Sequence, residues 1–256
     1  MIADGMSFGY LLVILFSVAT LAGFIDSIAG GGGLLTLPTL LAVGLSPAQA
    51  LATNKLQSCG GSFSASIYFV QKGMIKLSDN KLSILMTFIG ASCGSLLILY
   101  LNAEVLRLLL PILTICVGLY FLLTPTLGET DRERRITVVK FAFCAAMVIG
   151  FYDGFFGPGA GSFYALIYVV LAGFNLAKAT AHAKVLNFTS NLASLLFFIG
   201  GGKVIWSIGL VMLFGQFIGA RIGATLVIAK GKKLIRPMLI IVSLAMSIKL
   251  LIENYT

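Results

Sequence analysis

Long apolar segments follow one another along almost the whole chain. A helix needs about 20 mostly apolar residues to cross the hydrocarbon core of a bilayer. Only 11% of the 256 residues are charged, whereas soluble domains carry about 25%. The sequence therefore predicts an all-α polytopic membrane protein with eight full transmembrane helices. We place these at residues 7–29, 46–71, 80–101, 104–124, 137–156, 175–199, 204–229 and 232–252.

Two shorter apolar segments, residues 34–43 and 161–172, each follow a glycine-rich break. Segments of this length are either short crossings or re-entrant pieces. Irregular backbone at membrane depth is tolerated only where it faces protein or a water-filled cavity. The helix that follows a break points its first N–H groups back into it, which suits an anion. The predicted backbone anion sites are Gly30, Gly31, Gly32 and Gly33, and Gly157, Pro158, Gly159 and Gly161.

A simpler interpretation of such glycines is that they only let two helices pack closely. This alternative stays open for the two breaks. It is the interpretation we favour for the spaced glycines elsewhere in the apolar segments, which are Gly90, Gly94, Gly215, Gly219 and Gly223.

The two halves of the chain match each other in order. The sequence Gly-Phe-Ile-Asp at 23–26 corresponds to Gly-Phe-Tyr-Asp at 150–153, and a glycine-rich run follows each. Further on, Ala-Thr-Asn-Lys at 52–55 corresponds to Ala-His-Ala-Lys at 181–184. Collinear matches of this kind indicate an internal duplication. We predict a first repeat at 1–124, a cytoplasmic linker at 125–136 and a second repeat at 137–256.

Basic residues indicate that the two repeats are inverted. In the first half they concentrate in the link after the segment that contains Lys55. In the second half they concentrate in the link after the segment at 204–229, which is one link later than the equivalent position. Equivalent links thus carry opposite positive-inside signals, as inverted repeats require. If the short segments also cross, all basic loops share the cytoplasmic side and both termini are periplasmic. The net charge of +9 is then a topology signal, and no nucleic-acid partner is needed to explain it.

Charged residues inside apolar segments are costly, so they are the first functional candidates. They are Asp26, Lys55, Asp153, Lys184 and Arg221. The alternative is a set of structural ion pairs or helix-end groups, especially for Arg221, which has no counterpart in the first half. His182, the single histidine, is either a proton carrier or a hydrogen-bonding wall residue.

The two lysines lie at matching depths. Each is nine residues beyond the start of its apolar segment, which is on the order of 13 Å along a helix. Half the hydrocarbon thickness is about 15 Å, so both lysines would reach the membrane midplane. With nearby amides and the glycine breaks they would suit a small oxyanion. The predicted substrate-binding residues are Asn54, Lys55, Gln57, His182, Lys184, Asn187 and Asn191.

Asp26 and Asp153 fit poorly as direct ligands of an anion. They lie beside the breaks, where they would cap backbone N–H groups, pair with the lysines or take up protons. We interpret them as coupling or gating residues. The rival function is an intramembrane aspartyl protease, in which these two carboxylates would form the catalytic dyad. A membrane scaffold without transport activity is a third alternative, but it would leave the buried charges unexplained.

The sequence resembles the TauE/SafE sulfite exporter family over nearly its whole length. The resemblance rests on the segments 23–33, 52–57 and 150–158. It implies a bacterial inner-membrane transporter of sulfite, sulfonates or related organosulfur anions, without enzymatic activity. The signature residues carried over by position are Asp26, Gly30, Gly32, Asn54, Lys55, Asp153, Gly157, Pro158, Gly159, His182 and Lys184.

We accordingly expect a small anionic substrate, carried by alternating access, and a lipid bilayer as partners. No cofactor and no metal site are predicted. Import of an anion would need H+ or Na+ as a coupling ion, whereas export would not. The direction of transport and a homo-oligomeric state stay open.

Overall fold

The computed structural model describes residues 7–100 and 128–255. Across these two ranges the chain is helical and contains no β-strand. The predicted span at 104–124 lies outside the described residues. The helices are α1 (Phe8–Ala29), α2 (Gly33–Ala42), α3 (Pro47–Gln71), α4 (Lys81–Tyr100), α5 (Val138–Phe155), α6 (Ala160–Val170), α7 (Leu176–Gly200), α8 (Trp206–Lys230) and α9 (Lys232–Tyr255).

Five helices of the described chain are long and apolar enough to cross a membrane: α1, α4 with its preceding turn, α5, α7 and α8. The all-α membrane class is therefore confirmed, while the number of eight crossings remains a prediction. Helix α3 has 25 residues but falls outside this apolar set. Its polar residues are largely buried among other helices, so it does not need an apolar surface on every side.

Local capping signals set the start of the two lysine-bearing helices. Ser46 caps α3 in a reciprocal arrangement with Gln49, and Pro47 occupies the first helical position, where its missing N–H costs nothing. Asn175 caps α7 by accepting a hydrogen bond from the backbone N–H of Lys178 (3.0 Å). Fixing both starts also fixes how far into each helix the buried lysines lie.

Spaced glycines bring helices from the two halves of the chain into backbone contact. A Cβ on Gly90 or Gly94 of α4 would collide with the backbone of α5, and one on Gly219 of α8 would collide with the backbone of α1. Such close approach is typical of small-residue packing between membrane helices. The predicted packing role of these glycines is confirmed. Helix α1 thus packs on α8, and α4 packs on α5. Helices α3 and α7 also pack on each other, and this pair lies between the other two pairs.

The two glycine breaks meet each other inside the protein. Helix α1 is followed by Gly30, which has a positive φ of 77°, and α5 is followed by Gly157 and Gly159 with φ of 100° and 78°. L-residues with side chains rarely adopt this conformation. A Cβ on Gly161 would lie 2.5 Å from the Cα of Gly30. Close packing therefore explains why residue 161 is a glycine. The positive φ explains why residues 30, 157 and 159 are glycines.

Candidate functional site

A small polar cavity lies where the two breaks cross. Its free space is about 20 Å³ for the centres of water-sized molecules, enough for roughly one water. Six helices or their connecting breaks contribute to its wall. The lining residues are Asp26, Gly30, Gly33, Asn54, Lys55, Ser58, Asp153, Gly157, Gly159, Gly161, Asn187 and Asn191.

The first charged group in this wall is the ion pair of Lys55 and Asp153. The Nζ of Lys55 lies 2.7 Å from Oδ1 of Asp153, and both side chains are only 2% exposed. Lys55 also donates to the backbone carbonyl of Asp153. The second carboxylate oxygen, Oδ2, accepts hydrogen bonds from Nδ2 of Asn187 (3.0 Å) and from the hydroxyl of Ser190. The carboxylate thus has partners on both of its oxygens, as a buried charge requires.

The second pair joins Lys184 and Asp26. Their Nζ–Oδ2 distance is 2.9 Å, with the lysine side chain 1% exposed and the aspartate 16% exposed. The other oxygen of Asp26 accepts a hydrogen bond from the backbone N–H of Gly32 (3.1 Å). Asp26 therefore both caps the start of α2 and pairs with a lysine, two of the roles considered for it. Lys184 itself lies just behind the cavity wall, because a Cβ on Gly161 would be 3.2 Å from its Nζ.

Each ion pair joins one half of the chain to the other. Lys55 is 98 residues from its partner and Lys184 is 158 residues from its own. The four charges sum to zero, so the ammonium groups are already neutralised by carboxylates in this conformation. An anion that reached the cavity would have to share or replace these partners.

The predicted amides take different positions relative to the cavity. Asn54, Asn187 and Asn191 line it. The Oδ1 of Asn54 accepts hydrogen bonds from Oγ1 of Thr36 (2.6 Å) and from Nε2 of Gln57 (2.9 Å). Gln57 is fully buried behind Asn54, so its contact with the cavity is indirect. It would hold Asn54 in place.

His182 lies apart from the central cavity. Its Nδ1 is 3.1 Å from Oδ1 of Asn80, and its ring packs against those of Tyr168 and Phe174, with centroid distances of 5.2 and 4.8 Å. The hydroxyl of Tyr168 donates to the same Asn80 oxygen (2.9 Å). This environment matches a hydrogen-bonding role for the histidine, and it lies away from the cavity that the histidine was predicted to line.

Arg221 is also remote from the cavity. Its guanidinium lies 4.3 Å from the centre of the Tyr68 ring and 3.5 Å from Oε1 of Gln71. Tyr68 and Gln71 both belong to the last turn of α3. Both interactions indicate a contact between α3 and α8 as the role of this arginine.

Several residues near the cavity were not among the predicted site residues. Ser58 lines it, Ser190 holds Asp153 and Thr36 holds Asn54. Ser190 lies three residues after Asn187 on α7, so the shared helix face was the signal for it. Thr36 is one of two threonines, with Thr39, in a short apolar segment, and no pattern there distinguishes the one that contacts Asn54.

Comparison with known proteins agrees with these features. The family model described as "Sulfite exporter TauE/SafE" matches residues 15–250. The chain belongs to the TauE/SafE family. It is 66% identical to the "Probable membrane transporter protein YfcA" of Escherichia coli K12, over 96% of this chain and 91% of that protein. A "Probable membrane transporter protein" of Haemophilus influenzae is 50% identical, over 95% of this chain and 96% of that protein.

A third relative, the "Probable membrane transporter protein ORF9" of a Sinorhizobium species, is 47% identical over 95% of this chain and 94% of that protein. No solved structure matches the chain. Family membership and these relatives identify the protein as a membrane transporter of the TauE/SafE family. The geometry gives no support to the protease alternative, since Asp26 and Asp153 each pair with a different lysine.

Proposed function

We propose that this transporter carries a small anion, a sulfur-containing oxyanion or organosulfonate such as sulfite, by alternating access through the central cavity. One observation carries the proposal: two lysine–aspartate pairs, one fully buried and one partly buried, lie where two broken helices cross. Lys55, Asn54, Asn187 and Asn191 line the cavity and would bind the anion. The printed name of the matching family adds sulfite as the first substrate to test.

We further propose that the two halves are inverted repeats. In the matched segments Lys55 corresponds to Lys184, and Asp153 corresponds to Asp26. The ion pair of Lys55 with Asp153 therefore has its counterpart in the ion pair of Lys184 with Asp26. The contact of α1 with α8 is likewise the counterpart of α5 with α4. Together with the opposite charge bias of equivalent links, this supports eight full crossings, two short segments and periplasmic termini in a bacterial inner membrane.

The cavity must enlarge before an oxyanion can enter it. It holds about one water, whereas sulfite has three oxygens around its sulfur. The breaks meet through the backbone of Gly30 and Gly161, so this glycine contact has to separate when the cavity opens. Movement of one break relative to the other would open the cavity toward one side of the membrane at a time, which is the usual behaviour of broken helices in inverted-repeat transporters.

The direction of transport determines the energy that is required. A membrane potential of 100 mV, inside negative, favours outward movement of each negative charge by about 2.3 kcal/mol. Export of an anion therefore needs no further coupling, whereas import needs a co-transported cation.

The test combines ligand binding with flux. Purified protein is screened for a rise in unfolding temperature with sulfite, sulfate, ethanesulfonate and acetate, because a ligand that binds only the folded state stabilises it. Any ligand that binds is then followed in proteoliposomes. We expect binding of at least one sulfur anion and flux that saturates with its concentration. Absence of binding and flux for all the sulfur anions would contradict the proposal.

A charge-neutral double variant tests the site itself. Lys55→Met combined with Asp153→Asn removes a whole ion pair, and we expect it to insert in the membrane yet lose flux. The matched control removes the exposed pair of Lys178 and Asp131 by Lys178→Met with Asp131→Asn. This control should retain flux. Equal flux in both double variants would refute the site assignment.

A further inference from the structure

The carboxylate of Asp153 is held as a bound anion would be held. One oxygen receives the ammonium of Lys55 at 2.7 Å, and the other receives the amide of Asn187 at 3.0 Å and the hydroxyl of Ser190. An ammonium, an amide and a hydroxyl are the donor types that sites for oxyanions use. The buried carboxylate therefore occupies a complete set of anion donors.

Two of these three donors, Lys55 and Asn187, face the cavity. Lys55, Asp153 and Asn187 all line it, and the ammonium of Lys55 is directed to the carboxylate and carbonyl oxygens of Asp153. An arriving oxyanion would meet donors already engaged and a negative charge beside them. In a site that excludes water, such like-charge contact is strongly unfavourable. An ionised Asp153 and an arriving anion would therefore compete for Lys55 and Asn187.

The groups around Asp153 leave the carboxylate as the site where a proton can be taken up. On α3, Lys55 pairs with it and Cys59 lies within range of its charge, and on α6 Tyr164 lies within range of its charge. Tyr152 is its neighbour on α5. Lysine, cysteine and tyrosine ordinarily hold their protons at neutral pH, so none of them is available to accept another. Helix α7 contributes the uncharged Asn187 and Ser190, and α4 contacts α5 through the backbone near Ala91 and Gly94.

Asp26 is less suited to the same role. Its side chain is 16% exposed, compared with 2% for Asp153. One of its donors is the backbone N–H at the start of α2, and its lysine partner lies behind the cavity wall. Displacement of Asp26 would therefore release fewer donors into the cavity.

We propose that the ionised carboxylate of Asp153 and the transported anion compete for the same donors, so that each anion binds together with one proton taken up by Asp153. This inference rests on the proposed anion transport. In the binding step the anion becomes the partner of Lys55 and Asn187. A proton from solvent joins one carboxylate oxygen of Asp153, and no other bond changes. A singly charged anion would then cross with its proton as an electrically neutral pair, and the proton gradient rather than the membrane potential would drive its transport.

Isothermal titration calorimetry of the purified full-length protein provides the test, with ethanesulfonate and sulfate as probes. Both probes keep a constant charge from mildly acidic to mildly alkaline pH, so any proton taken up belongs to the protein. Titrations in two buffers of different ionisation enthalpy give the number of protons bound per anion. For the wild type at alkaline pH we expect one proton, and a dissociation constant that rises by about tenfold per pH unit.

The variant Asp153→Asn should remove both effects. We expect no proton uptake, a dissociation constant that is independent of pH, and tighter binding than the wild type at alkaline pH. Lys55 would keep the backbone carbonyl of residue 153 as an acceptor, which favours folding of the variant. The matched control is Asp131→Asn, the same charge change at an exposed ion pair, and it should retain the proton uptake and pH dependence of the wild type.

The outcomes separate this inference from the proposed function. Binding by the wild type without proton uptake, or proton uptake that persists in Asp153→Asn, would overturn the competition while leaving anion transport intact. Absence of binding of every sulfur anion at every pH would overturn both. If Asp153→Asn does not fold, the proton count of the wild type alone decides, with one proton per anion supporting the inference and none contradicting it.

Discussion

Gly30 and Gly161 lie directly against each other at the crossing of the two broken helices. A Cβ on Gly161 would be 2.5 Å from the Cα of Gly30, closer than real side chains approach a backbone atom. The backbone contact between these two glycines brings the break after α1 against the break before α6. The charged residues beside each break are thereby brought to one cavity.

Gly161→Ala should destabilise the protein by about 1–3 kcal/mol, the usual cost of forcing an extra carbon into a packed interior. The backbone of Gly30 cannot move aside as a flexible side chain would. Thermal unfolding in detergent measures the loss. The matched control is Gly33→Ala in the other break, whose Cβ would lie at an ordinary 3.6 Å from Nδ2 of Asn54. Equal stability of the two variants would contradict the backbone contact at the crossing.

Lys55→Met alone should cost about 3–5 kcal/mol, because it leaves the buried carboxylate of Asp153 without its charged partner. Adding Asp153→Asn should restore much of this stability, since the second substitution removes the unpaired charge. Chemical or thermal unfolding of the two single variants and the double variant gives the coupling between the residues. If the two single effects simply add, the residues are not coupled as the ion pair requires.

His182→Gln should lower stability by about 1 kcal/mol through loss of the hydrogen bond to Asn80 and of ring packing. It should leave the number of protons bound per anion unchanged, because the histidine lies away from the cavity. Calorimetry in two buffers checks the proton number, and thermal unfolding checks stability. A proton number that falls in this variant would indicate that His182 carries the proton.

Asp131 should contribute to stability in a pH-dependent way. The backbone N–H of Asn175 and the ammonium of Lys178 lower the pKa of its carboxyl below the ordinary value. A carboxyl with a lowered pKa in the folded state stabilises the protein above its unfolded pKa of about 3.9, and this contribution disappears as pH falls through the folded value. The effect will be small, since the side chain is 51% exposed.

The measurement is the unfolding temperature of the wild type and of Asp131→Asn at neutral and acidic pH. The two proteins should differ most at neutral pH and converge as the pH falls below about 4. A difference that grew toward acidic pH would contradict the direction of the pKa shift.

Local sequence signals were enough to place the helices in the described part of the chain. Ser46 with Gln49 and the side chain of Asn175 fix helix starts through hydrogen bonds with N–H groups three residues away, and such signals act within one turn. Apolar length and the scarcity of charge likewise establish the membrane class. The same residues set the depth of Lys55 and Lys184, which is why both could be singled out from the sequence.

The partners of these lysines depended on contacts between distant segments. Lys55 pairs with Asp153 and not with Asp26, because glycine contacts hold α1 against α8 and α4 against α5. Tertiary packing also placed His182 beside Asn80 and Gln57 behind Asn54, away from the cavity wall. The sequence by itself thus determined the helices, their polarity and the few charges buried in them. The tertiary structure decided which charges neutralise one another, because that depends on how closely two backbones approach, and no short-range pattern records it.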